Sequence, residues 1–585
     1  MKLNTIYALI FLLPSLLFGS QSELAKKRML EDLNFLQQSL EVRYAPLEWK
    51  RSYVGLNLEK EFEQARKEIQ QKPHVTTKEF QRLVSKVLNS LADYHVGAQF
   101  YSTERSKLPF AVKSALDPES ESGRRYFIVH IDWSKISRLA FPLSVGDELL
   151  EWDGQPIDKV VKELCKQEFG VRNFEGTNLA LAEETLTERY GFLGQHVPSG
   201  LIKLKFKSSK SLQIQDVVMK WEYRAERIKD FSSLGASKDK NKLVQANLPL
   251  QKIEQGMQQS ILQQGMMVAA HFDPVRLHQS VENPYERGSR SNYLPNLGKV
   301  IWKSHAKDRF HAYIFSAPSG NLVGYIRIPH YMADEEETKE FCALMRIFEN
   351  ATNALVIDQM DNPGGSIFYL YSLASALANK PIDVPKHHIN LTQEEVNMAV
   401  RRLPELESIH NLEDAHEVIG DSIGGLPVTM QTVEKMKQFF YKIIEEWNEG
   451  KLYTDPLHVF GIDKVTAHPD GCYTKPVLVL VNHLDFSGGD FFPAILQDSG
   501  RAVILGTRTA GAGGYVLATS HPNHNGIAGF TITGSVAERA NKEPIENLGV
   551  KPDIEYAMQV EDLQHNYRSY VNKILETVES LLHKS

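Results

Sequence analysis

The run Val477-Leu478-Val479-Leu480-Val481, inside the stretch from Thr474 to Gly506, is the feature that most restricts the fold. Five consecutive apolar residues without polar alternation describe a strand buried on both faces, which needs helices or a second layer on each side of its sheet. Beyond it the period changes, because Phe492, Ile495 and Leu496 recur at helical spacing. The chain therefore passes from strand to helix across the turn at Ser487-Gly488-Gly489. Asp490 falls in the first helical turn, where its charge suits the positive end of the helix dipole. The two glycines permit backbone conformations that other residues resist and leave room for a reacting group. A serine hydroxyl at the carboxyl end of a strand, beside free backbone N–H groups, is placed as an acyl-transfer nucleophile with its oxyanion hole would be. Serine is also a preferred helix N-cap, so the local sequence leaves both roles open.

The chain has 585 residues, too many for one hydrophobic core and enough for two to four domains. With a net charge of −7 and no strongly basic block, nothing in it suits nucleic acid. Lys2 precedes an apolar run from Ile6 to Phe18, with small residues at Gly19, Ser20 and Ser22. That pattern predicts a signal peptide over 1–22, hence export and passage through a periplasm. No later run of 18 apolar residues occurs, so no membrane span is expected after its removal. Cys165, Cys342 and Cys472 have neither metal-ligand spacing nor the density of a disulfide framework and read as small buried hydrophobes. No metal or other cofactor is expected.

Residues 23–123 read as a helical region: Met29, Leu33, Leu36 and Leu40 form one stripe, Phe80, Leu83, Val84, Val87 and Leu91 another. It ends on a short strand expected over His95 to Phe100. Residues 124–228 read as β-rich, with a strand over Phe127 to Ile131, and Ser144 to Gly154 joins a turn, a strand and an Asp-Gly turn. This last segment, with a helix over Ile157 to Leu164, resembles the core of a PDZ domain, which implies either peptide capture by strand addition or a spacer without an open groove. Between 229 and 299 lysine, serine, glutamine and asparagine accumulate, as in a linker, yet Leu250, Ile253, Met257 and Ile261 keep helical spacing. From 300 to 585 strands and helices alternate, which predicts an α/β sheet. Thr392 and Glu395 form a capping box, and Val433, Met436, Phe440, Ile443 and Trp447 form a stripe, so 392–450 reads as a helical insertion.

Leu355 to Ser366 is a second strand followed by a glycine turn and a helix. The backbone N–H groups of Gly364 and Gly365, paired with that of Gly488, form a candidate oxyanion hole.

Three features together resemble the carboxyl-terminal processing protease superfamily: Asp361-Asn362-Pro363-Gly364-Gly365 after a strand, a serine at a strand-to-helix turn followed by the segment Leu496 to Gly506, and a PDZ-like module upstream. Those serine proteases use a lysine 25 residues after the serine, within T-x-G-K-G. This chain reads Thr509-Ala510-Gly511-Ala512-Gly513, with Ala512 in the lysine's place, so another base is required. A chlamydial branch that uses serine, histidine and glutamate is similar through Asp93-Tyr94-His95, Asn362 to Leu373, Asp485-Phe486-Ser487, Thr509 to Gly514 and Ile545 to Val550. The resemblance implies His95 as general base, Ser487 as nucleophile and Glu546 as the carboxylate that orients the imidazole. It further implies a multidomain α/β serine endopeptidase whose catalytic domain is of the ClpP/crotonase-like type. Such a protease is secreted, cleaves host, bacterial and its own proteins, and is made as a zymogen. In that branch an inhibitory segment matching 229–299 is cut out during activation linked to homodimer formation. Two rival expectations are a processing protease specific for C-termini and an inactive peptide-binding scaffold.

Overall fold

The computed structural model describes residues 4–139, 141–227, 283–332 and 335–584. The stripe Leu250, Ile253, Met257 and Ile261 lies outside them.

Val477–Val481 is a strand with every residue buried, the fifth of a seven-stranded sheet. The sheet runs in the order Lys299–Lys303, Ala312–Ser316, Leu322–Arg327, Ala354–Asp358, Val477–Val481, Val503–Gly506 and Ile554–Glu555. The first three are antiparallel neighbours; from Leu322–Arg327 onward every pairing is parallel, with Ile357 opposite Val479 and Leu480 opposite Leu505. The alternation of a strand sends Val477, Val479 and Val481 into a core formed with the helices Glu335–Ala351, Ile367–Ser375, Met430–Asn448 and Gly488–Asp498. Leu478 and Leu480 face the other way, onto Tyr570, Ile574 and Val578 of the helix Arg568–Lys584. Burial on both faces thus explains the unbroken apolar run. The insertion is helical as expected, over Gln393–Glu407, Leu412–Val418 and Met430–Asn448, and both arms of the Thr392–Glu395 capping box are formed. Its stripe is buried at Val433, Met436, Phe440 and Ile443, whereas Trp447 is 38% exposed.

The PDZ-like sheet orders Phe110–Leu116, Arg124–Ile131, Glu148–Trp152, Leu201–Lys207 and Ile214–Lys220, with Ile157–Leu164 as the expected helix. Phe110–Leu116 pairs along its full length with Arg124–Ile131, so the β-rich module begins before the expected boundary at 124. Its core is continuous with the catalytic region, since Leu484, Phe486, Ala510 and Ala512 pack in it.

The two N-terminal stripes are buried as read, but they do not form a separate unit. Their core includes Leu517, Ile527, Phe530 and Ile532, and the strand Gly97–Phe100 pairs antiparallel with Ile527–Thr533. One helix, Asn4–Arg43, runs through position 22. No helix of the described residues is long and apolar enough to cross a membrane. Described residues 283–298 lie back on the sheet: Arg327 Nε donates to the Ser289 carbonyl at 2.8 Å, and the Gly288 N–H donates to the Asp361 carbonyl at 3.0 Å.

Candidate active site

Two strand ends, Ala354–Asp358 and Val477–Val481, open into turns fastened to one another. Asp485 accepts from the Asn362 N–H at 3.0 Å and from the Asn482 N–H at 2.9 Å, and the Phe486 N–H donates to the Asn362 carbonyl at 2.9 Å. Gln359 Nε2 adds a bond to the Gly489 carbonyl at 2.7 Å. These bonds hold Ser487 at φ 53° and ψ −111°, a region that non-glycine residues rarely occupy, and its side chain caps nothing. The N-cap role left open by the sequence is therefore not taken. A strained serine between a parallel strand and a helix presents its hydroxyl outward, as a nucleophile elbow does.

The N–H groups of Gly365 and Gly488 make no hydrogen bond among the described residues and are neighbours: a Cβ added to Gly488 would lie 3.2 Å from the Gly365 nitrogen. Gly364, the third expected donor, gives its N–H to Asn362 Oδ1 at 2.8 Å and has none to offer. The asparagine that shapes the turn consumes that donor.

His95 sits in the turn just before Gly97–Phe100, not in the strand expected to begin with it. It is wholly buried, its N–H donates to Asp93 Oδ1 at 2.8 Å, and neither ring nitrogen has a hydrogen-bond partner. Burial lowers the imidazole pKa from its ordinary value; Asp93 and the Gly513 backbone oppose this, and Lys50 adds to it. The ring is thus held neutral, the form a general base needs. Asp93 is fixed in turn by Tyr44 at 2.9 Å and Thr533 at 2.8 Å.

Glu546 is also wholly buried. One carboxylate oxygen accepts from Lys50 and the other from the Gly513 N–H at 2.9 Å. Burial, with Asp93 beside it, pushes the carboxyl up to about 8 against the pull of Lys50 and Gly513. Gly513 therefore adjoins both Glu546 and His95, while no hydrogen bond joins His95 to Glu546 or Ser487.

Asp490, three residues after Ser487, anchors the loop 509–514. Its carboxylate accepts from Thr509 Oγ1, from the Gly511 N–H at 2.8 Å and from the Ala512 N–H at 3.0 Å, and burial pushes it up to about 6. Ala512 is buried where the related lysine would stand. This loop joins the Ser487 helix to the His95 and Glu546 side of the site. Sequence reasoning missed Lys50 altogether and read Asp490 only as a helix-dipole charge. A cavity of about 340 Å³ opens beside Ser487, with Ile367, Leu370, Phe439, Phe460 and Phe491 in its wall. Among the described residues no cluster of His, Cys, Asp and Glu could hold a metal ion.

Comparison with known proteins agrees with this geometry. Residues 104–228 match the PDZ domain and residues 322–556 match peptidase family S41. An uncharacterized protein of Chlamydia muridarum is 36% identical over 100% of this chain and 98% of its own length, and a Chlamydia trachomatis protein is 34% identical over 100% and 98%. The crystal structure of mature CPAF is similar at a TM-score of 0.80 and 32% identity, covering 96% of this chain and 99% of that one; a structure of mature CPAF complexed with lactacystin is similar to the same degree. On the strength of these matches, the chain belongs to peptidase family S41 as a serine protease of the chlamydial type.

Proposed function

We propose that the protein is an exported serine endopeptidase in which Ser487 is the nucleophile, His95 the general base and Glu546 the carboxylate that supports the imidazole. The observation that carries this reading is the strained backbone of Ser487 beside the unpaired N–H groups of Gly365 and Gly488. His95 takes the Ser487 proton as Oγ bonds to the scissile carbonyl carbon, and the two N–H groups hold the oxyanion. The imidazolium then protonates the leaving amine, and water, deprotonated by the same histidine, releases the acyl group. The apolar cavity beside Ser487 suits an apolar substrate side chain.

The full-length chain is, on this reading, a zymogen that cuts itself, works as a homodimer and acts on host proteins after secretion. Two observations support the zymogen. No hydrogen bond joins His95 to Ser487 or Glu546, and Glu546 is committed to Lys50 and Gly513, so the proton relay is unassembled. The segment that follows residue 282 also returns onto the Asp361 turn, near Gly365. Cutting such a segment converts an intramolecular contact into a weak bimolecular one. Intact mass and activity followed against protein concentration test this. Activation is expected to rise faster than linearly with concentration, to coincide with cuts between about 229 and 299, and to fail in Ser487→Ala. An uncut chain already at full activity would refute the zymogen reading.

A further inference from the structure

Lys50 lies in the short helix Leu47–Tyr53 with 0% of its side chain exposed. Its three N–H donors meet three acceptors: Glu546 Oε1, Asn547 Oδ1 at 2.6 Å and the Ala92 carbonyl at 2.7 Å. Two of these belong to strained non-glycine positions, Ala92 at φ +54° and Asn547 at φ +62°. The Ala92 carbonyl also accepts from Asn547 Nδ2 at 2.7 Å, so Lys50 and Asn547 together bind the turn that leads into His95 to the turn that carries Glu546. A buried lysine is tolerated when every donor is used and a counter-charge is present, and both conditions hold.

Asp93 and Glu546 are two buried carboxylates in one site, and Asp93 acts on Glu546 to raise its pKa. Lys50 supplies the opposing positive charge. The other titratable groups around it are His95, Tyr44 and Tyr94, and Arg508 reaches the same turn through the Asn547 carbonyl. Without the ammonium, Glu546 would keep a proton to higher pH, and a neutral acid cannot stabilise an imidazolium. We propose that Lys50 is a positioning residue of the proteolytic site, whose ammonium draws the Glu546 carboxyl toward its ionised form and locks the Ala92–His95 turn to it. This rests on the reading of Glu546 and His95 given above.

The test is kcat and KM from pH 6 to 10 for the full chain and for Lys50→Met, Lys50→Gln, Glu546→Gln and the double variant Lys50→Met/Glu546→Gln, with thermal melting of each. Near pH 7 both Lys50 variants are expected to lose kcat by on the order of 10²-fold with KM little changed. Their acid limb should move to higher pH, so that part of the loss returns on raising the pH. In the Glu546→Gln background the lysine substitution should cost less than about 3-fold, since residues that act through one another do not multiply. Wild-type kcat and pH profile in both lysine variants, or losses that multiply with that of Glu546→Gln, would overturn the assignment. Glu546→Gln at wild-type rate would instead remove the triad reading itself, an outcome distinct from the others.

Discussion

Ser487→Ala and His95→Ala are each expected to lower kcat by about 10³-fold or more, and the double variant to be hardly slower than either. The size follows from what each group supplies. A serine hydroxyl is a weak nucleophile near neutral pH until a base takes its proton, and an imidazole without a serine to deprotonate has nothing to activate. The non-additivity is the more informative part, since two residues that contributed independently would multiply their losses. Ser487→Ala should melt close to wild type, since Ser487 loses no capping bond, whereas His95→Ala empties a wholly buried site and should melt lower while staying folded. Steady-state kinetics on a quenched peptide, with melting as the control for folding, provide the check. His95→Ala at wild-type rate would exclude it as the base.

Gly365→Ala is expected to damage both the site and the fold. Gly365 has φ +147°, and an added Cβ would lie 2.1 Å from the Tyr331 carbonyl carbon and 2.2 Å from its oxygen. Those are backbone atoms held on both sides: the Tyr331 N–H donates to the Gly364 carbonyl at 2.7 Å, and the Ser366 N–H donates to the Tyr331 carbonyl at 2.7 Å. The turn must therefore move, and the Gly365 N–H moves with it. Loss of one oxyanion donor costs on the order of 10²–10³ in kcat. A forced backbone shift in a buried turn costs roughly 2–4 kcal/mol of stability. Urea midpoints and kcat measured on the same preparations separate the two effects. An alanine variant with wild-type kcat would show that this N–H does not serve the reaction.

Where the sequence was legible, local physics acted alone. The strand Val477–Val481, the turn at Ser487, the Thr392–Glu395 capping box and the stripes around Leu33 and Phe80 each depend on residues a few positions apart. The illegible parts depend on partners far along the chain. Lys50 resembles a solvated helix lysine until its acceptors Glu546 and Asn547, nearly 500 residues away, are known. Gly364 looks equivalent to Gly365 until Asn362 claims its N–H. Phe110–Leu116 was not read as a strand because Lys113 and Ser114 interrupt its apolar residues, and only its partner Arg124–Ile131 brings it into the PDZ-like sheet. The N-terminal helices looked self-contained because their own stripes are complete, although Phe530 and Ile532 share that core. Within the site, motif resemblance had to supply His95 and Glu546, since no spacing rule connects positions 95, 487 and 546.

The most direct measurement is the position of a covalent adduct. The wild-type protein, incubated until self-cleavage is complete, is treated with a fluorophosphonate and the modified peptide is located by mass. The account predicts one adduct per chain, on Ser487, accompanied by loss of peptidase activity. An adduct on any other residue, with activity lost in proportion to it, would contradict the assignment of Ser487 as the nucleophile.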